Sequence, residues 1–308
     1  MVPPSRYMCN YNSMIAYRYT SVRKRKRKKP FLFLGLMALA LVSLGAWLLF
    51  YRHDKPNPAK TTQSSQTQQQ TAKENPKPEL VNLQPVVDAW LAKQSAEFGI
   101  VVYDPANKQI IASHNPDQKF FAASLYKLFV AYLALVDFQK GTQDPNQTLT
   151  QGFTRKQCVD KMIRESYSPC GEAMMADMGQ ETLRQRVSDM GIKNTIFAGI
   201  TTTAQDSALI LQYIVDGRDL TADNTAFLKD AMRVQDQKFR NGLAKGAPQA
   251  TWETKVGWNE QYNYHDVGIM TLPGGRQYVV AILSHNNGSP VPIADFAATI
   301  YANLKNNP

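Results

Sequence analysis

Apolar residues recur at Leu125, Leu128, Phe129, Tyr132, Leu133 and Val136, the spacing of one helical face. The run that opens this pattern, Phe120 to Val130, predicts the start of a buried helix with one hydroxyl and one amine, Ser124 and Lys127, placed inside it. Upstream, Pro85 opens a helical pattern through Phe98 that Gly99 would end. Two short β-rich runs, Ile100–Tyr103 and Gln109–Ala112, flank the turn sequence Asp104-Pro105-Ala106-Asn107 and predict a hairpin. The middle of the chain reads as helical over Arg155–Arg164, Gly171–Met178, Thr182–Met190, Ala204–Val215 and Ala222–Met232. Strands return at Val267–Leu272 and Tyr278–Leu283, separated by Pro273-Gly274-Gly275, and a helix over about Ile293–Leu304 follows. Strands at both ends with helices between predict an α+β fold. One antiparallel sheet would be built from both termini, with a helical lobe inserted and the Ser124 helix at the seam.

The first part of the chain has a different pattern. An unbroken basic run, Arg23 to Lys29, precedes an uncharged apolar stretch at 31–51, long enough at roughly 20 residues to cross a bilayer as a helix. Residues 1–30 are therefore expected to be a cytoplasmic basic tail and 31–51 an uncleaved transmembrane helix, with a cleaved signal peptide as the alternative. Residues 52–79, rich in Gln, Thr and Pro, predict a disordered tether. Residues 80–308 predict one extracytoplasmic domain, anchored in the cell membrane by a single pass. The charge follows this division. The net charge of +10 lies in residues 1–55, which carry 11 Lys/Arg and one acid, whereas the remaining residues carry 24 of each sign. A domain without basic excess argues against nucleic acid as a partner.

Ser124 and Lys127, three apart on a helix, share a face. A serine attacks only when a base takes its proton, and a lysine is that base only when burial or another cation lowers its pKa. The bland alternative is a capping serine with a snorkelling lysine, and Ser21 to Lys24 repeats the spacing in the basic tail. Other chemistries find little support. His53, His114, His265 and His285 show no metal-ligand spacing, and no cofactor is expected. There is no Gly-x-Ser-x-Gly elbow and no phosphate loop. His265-Asp266 and Tyr126 are expected to be structural.

Three further features set the pair in context: Met162 to Ala173, containing Ser166-Tyr167-Ser168; Thr201 to Asp206, with Thr203 as a helix cap; and Trp252 to Trp258, containing Lys255-Val256-Gly257. In this order they resemble the class A β-lactamase-like, penicillin-recognising serine hydrolases. Ser124 to Lys127 resembles the Ser-x-x-Lys box, Ser166 to Ser168 stands where Ser-Asp-Asn is expected, and Lys255 to Gly257 resembles the Lys-Thr/Ser-Gly box on a sheet strand. The resemblance spans about residues 85–305. It implies acylation of Ser124 by a β-lactam or a cell-wall peptide amide, with Lys127 as base and Ser166 relaying a proton to the leaving nitrogen. Lys255 would face the substrate carboxylate. Ser168 and Gly257 would border the substrate, and the N–H groups of Ser124 and Trp258 would form the oxyanion hole. A monomer is expected.

Two departures bear on turnover. Tyr167 and Ser168 replace Asp and Asn, and the stretch 191–200, where the family carries the Glu that activates the deacylating water, has no acid. Glu165 and Glu172 lie near the Ser166 box and are expected to be surface or helix-end carboxylates. A D-Ala-D-Ala carboxypeptidase-like enzyme, or a binder or sensor without turnover, is the alternative function. Cys9 falls in the tail and is expected to be reduced. Cys158 and Cys170 bracket the Ser166 box and are expected to form a disulfide that pins it.

Overall fold

Five antiparallel strands organise the domain: β1 (Glu97–Asp104), β2 (Gln109–His114), β7 (Thr251–Asn259), β8 (Asn263–Thr271) and β9 (Gln277–His285), in the order β2-β1-β9-β8-β7. Four short strands pair outside it, β3 (Phe120–Phe121) with β6 (Thr201–Thr202) and β4 (Thr148–Thr150) with β5 (Phe153–Thr154). The N-terminal hairpin and the C-terminal strands meet where β1 pairs with β9, Glu97 opposite His285 and Tyr103 opposite Val279. The computed structural model describes residues 81–306. The expected tail, transmembrane segment and tether lie outside the described residues, and no helix within them is long and apolar enough to cross a membrane.

The sheet is covered on both faces, which is why its central strands β8 and β9 are buried at nearly every position. Val101, Val267, Ile269, Val279, Ala281 and Leu283 face the helical lobe. That lobe comprises α2 (Tyr126–Lys140), α3 (Arg155–Arg164), α4 (Ser168–Met178), α5 (Gln180–Asp189), α6 (Ala204–Val215) and α7 (Ala222–Arg233). Ile100, Val102, Met270, Tyr278, Val280 and Ile282 face the other way. There α1 (Gln84–Leu91), α8 (Leu243–Gly246) and α9 (Val291–Leu304) form the second layer. Trp90 of α1 ties that layer together. Its ring lies edge-on at 5.0 Å to both Phe98 and Phe296, and its Nε1 donates to Asp295 Oδ2 at 2.8 Å.

Two expectations are corrected. The first helix ends at Leu91, not Phe98, and Phe98 and Gly99 belong to β1. Gly99 is therefore no helix stop. The Phe120 ring passes over it, and a Cβ there would lie 2.7 Å from the ring. The second concerns α2, which is buried at every position from Tyr126 to Val136 and not on one face. It runs through the centre of the lobe, so its polar residues there are forced into the interior. A left-handed Gly141 (φ 68°) closes it.

Candidate active site

Two short strands, β3 (Phe120–Phe121) and β6 (Thr201–Thr202), pair beside the main sheet and set the approach to Ser124. The chain then turns sharply. Ala122 N–H donates to the Ile200 carbonyl at 2.9 Å, and Ala123 takes a left-handed φ of 45°. Ser124 follows in a 3₁₀ turn, Ala123–Leu125, that runs directly into α2. A left-handed residue without glycine's freedom, immediately before a serine, holds that serine in a conformation the surrounding packing must enforce. His265 helps to enforce it. Its Nδ1 accepts from Ser284 N–H at 3.0 Å, so Nε2 carries the proton and donates to Phe121 O at 2.8 Å. Burial lowers its pKa to about 4, which keeps the ring neutral.

Lys127 reaches back along the helix. Its Nζ lies 2.9 Å from Ser124 Oγ, 2.6 Å from the Ser166 carbonyl and 3.2 Å from Ser168 Oγ. All three ammonium protons thus have acceptors. The side chain is wholly buried, and desolvation lowers its pKa to about 8, with the Glu172 charge acting in the opposite direction. Loss of one proton leaves a lone pair directed at the Ser124 hydroxyl.

Ser166 joins this lysine to a second one. Its carbonyl accepts from Lys127, and its Oγ accepts from Lys255 Nζ at 2.9 Å. The residue sits at φ 53°, again left-handed without being glycine, and this geometry places both its oxygens in the cleft. Lys255 also donates to Val256 O at 2.7 Å and lies 5.7 Å from the centre of the Phe239 ring. Complete burial and then the Lys127 charge push its pKa well below the ordinary lysine value, while Asp266 pulls upward. The disulfide Cys158–Cys170 joins α3 to α4 across this turn, with Cα atoms 4.9 Å apart.

The edge strand β7 closes the cleft. At Gly257 an added Cβ would lie 2.6 Å from Ala122 O and 2.9 Å from Leu125 Cγ, so only glycine lets the strand approach the Ser124 turn. The orientation of Trp258 follows from its partner. Trp258 is opposite Tyr264, whose N–H and C=O are both engaged by Ser284 Oγ on β9. In an antiparallel ladder a residue's two backbone groups point to the same side. Tyr264 therefore does not bond to Trp258, and the N–H and C=O of Trp258 face the open edge of β7. Val256, two residues earlier, shows the same parity, with its carbonyl taken by Lys255.

Ser124, Lys127, Ser166, Ser168 and Lys255 are joined by hydrogen bonds, and Gly257, with Trp258 next to it on β7, packs against the Ser124 turn. Sequence reasoning missed Gly171, where a Cβ would lie 2.8 Å from Lys127 Cε and 2.8 Å from the Tyr126 hydroxyl. It also missed Asp206, which accepts from Lys193 N, Asn194 N and Thr195 Oγ1 and anchors the stretch 191–200. The signal for Asp206 was present, because Thr203 caps the same helix. No group of three or more His, Cys, Asp or Glu able to hold a metal occurs among the described residues.

Fold and cleft together define a β-lactamase-like serine hydrolase. The profile of the beta-lactamase enzyme family matches residues 82–304, and the chain belongs to that family. PBP-A is similar in structure, with a TM-score of 0.66 at 19% identity, covering 74% of this chain and 98% of PBP-A. So is a PBP-A mutant in an acyl-enzyme complex with penicillin G, with a TM-score of 0.65 at 18% identity over 72% of this chain and 95% of that one. The TLA-3 extended-spectrum β-lactamase gives 0.65 at 16% identity, over 72% and 98% of the two chains. Comparison with curated proteins finds no match.

Proposed function

We propose that this chain is a membrane-anchored, extracytoplasmic hydrolase that acylates Ser124 with a β-lactam or a cell-wall peptide amide. The observation that carries the proposal is the buried Lys127 ammonium, 2.9 Å from Ser124 Oγ and titrating near neutrality, at about 8. Neutral Lys127 takes the Ser124 proton as Oγ attacks the carbonyl carbon. The N–H groups of Ser124 and Trp258 receive the developing oxyanion, where fixed donors act most strongly. Ser166 delivers a proton to the leaving nitrogen and takes one in its place from Lys255, which donates to its Oγ, and Lys255 meets the substrate carboxylate. Ser168 borders the bound acyl chain. The anchor rests on the apolar stretch 31–51 and its basic flank.

A second function, penicillin binding with slow release, in a carboxypeptidase-like enzyme or a sensor, is favoured by one observation: the stretch 191–200 carries no acid. Intact mass of the full-length chain with benzylpenicillin, against Ser124→Ala, tests the proposal. An adduct on the native chain that is absent from Ser124→Ala is expected. No adduct on either removes the β-lactam from the function.

A further inference from the structure

Two carboxylates flank the Ser166 turn, and the fold treats them differently. Both oxygens of Glu165 receive Lys161 Nζ, at 2.7 Å each, one helical turn away. Glu172 is exposed, and its carboxylate makes no hydrogen bond or ion pair among the described residues. It nonetheless belongs to the strip of α4 that lies along Lys127. Ser168 Oγ is 3.2 Å from Lys127 Nζ, and Gly171 is so close that a Cβ would lie 2.8 Å from Lys127 Cε. Glu172 stands four residues after Ser168, on the same helical face, with Cβ atoms about 5–6 Å apart. Its charge is felt by Lys127 and by the Tyr126 hydroxyl, the two groups that Gly171 touches. In the stretch 191–200 the Ile200 carbonyl accepts from Ala122 N–H beside Ser124, and none of its residues is an acid.

We propose that Glu172 is the general base for release of the acyl group, a catalytic residue brought to the cleft by α4 in place of the acid missing from 191–200. The inference rests on acylation of Ser124. In the release step, the Glu172 carboxylate takes a proton from water as the water oxygen bonds to the ester carbon. The tetrahedral intermediate then collapses and the bond from carbon to Ser124 Oγ breaks. Oγ takes a proton from the Lys127 ammonium, and the acid product leaves. Lys127 is then neutral again, and the proton held by Glu172 returns through solvent to Lys255, which reprotonates Ser166 during acylation, so the starting state is restored. Glu165, bound at both oxygens by Lys161, is unavailable for this work.

The test follows adduct formation and decay by intact mass, using the full-length chain and benzylpenicillin, for the native chain, Glu172→Gln and Glu172→Asp. Native release, with Glu172→Gln acylating normally above the Lys127 limb but releasing about 100-fold or more slowly, is expected. Glu172→Asp should fall between the two. Loss of the Glu172 charge also moves the acid limb of acylation to lower pH, an effect on Lys127 that is separable from release. Equal release by the native chain and Glu172→Gln overturns the inference and leaves Ser124 as nucleophile. A permanent native adduct overturns it in favour of a binder. A Glu172→Gln chain that fails to acylate assigns the residue a structural role and overturns it too. No adduct on the native chain removes the parent proposal together with this one.

Discussion

Lys127 and Gly257 show how single residues constrain this cleft. Lys127 is an amine where a lobe-centre helix would otherwise be apolar, and burial alone moves it into the range of a useful base. The rate of Ser124 acylation should therefore rise with pH up to about 8 and level off above it, because only neutral Lys127 accepts the proton. Stopped-flow acylation against pH checks this; a rate that falls across the same interval contradicts it. At Gly257 the constraint is contact with backbone. Gly257→Ala would put a carbon 2.6 Å from Ala122 O. Neither strand nor turn gives easily, so a loss of about 1–3 kcal/mol in urea unfolding is expected, with acylation reduced in the fraction that remains folded. The Ser-x-x-Lys spacing was legible in the sequence because it is local. The left-handed Ala123 and Ser166 were not, since neither residue type announces a positive φ.

At the scale of elements, the site is a turn held from several sides. Cys158–Cys170 ties the first half of α3 to the start of α4, with Ser166 between them in sequence. Closing a loop with a sequence separation of 12 stabilises by about 3 kcal/mol in the chain-entropy account. Reduction should lower the urea midpoint accordingly and slow acylation by loosening Ser166, and comparison of oxidised and reduced chains measures both. Helix positions were largely readable, because caps and periodicity are local signals. Thr203 accepts from Asp206 N–H, and Thr154 forms a full capping box with Gln157. The first helix was misjudged at its end. Gly99 looks like a stop in one dimension and is a place for the Phe120 ring in three.

For the whole molecule, the sheet between two layers is what makes the site possible. Only a strand covered on both faces can carry Lys255 on one side and Asp266, one residue along in the partner strand, on the other. Asp266 is fully buried and accepts Leu243 N–H at 2.8 Å, and desolvation raises its pKa to about 8. The folded chain therefore holds a proton that the unfolded chain releases at the ordinary carboxylate value. Stability should fall as pH rises from about 4 to about 8. Asp266→Asn keeps an acceptor for Leu243 and should remove that slope, with its advantage over the native chain largest near pH 8; melting temperature across pH decides it. The sequence by itself determined the element order, the α+β class and the boxes, because each depends on periodicity, turn chemistry or spacing over a few residues. Only the tertiary structure decided that Trp258 turns its N–H to the open edge of β7, that Gly171 makes room for Lys127, and that Glu165 is paired while Glu172 has no hydrogen-bond or ion-pair partner among the described residues. Those facts depend on strand parity and on contacts between distant segments, which no local pattern encodes.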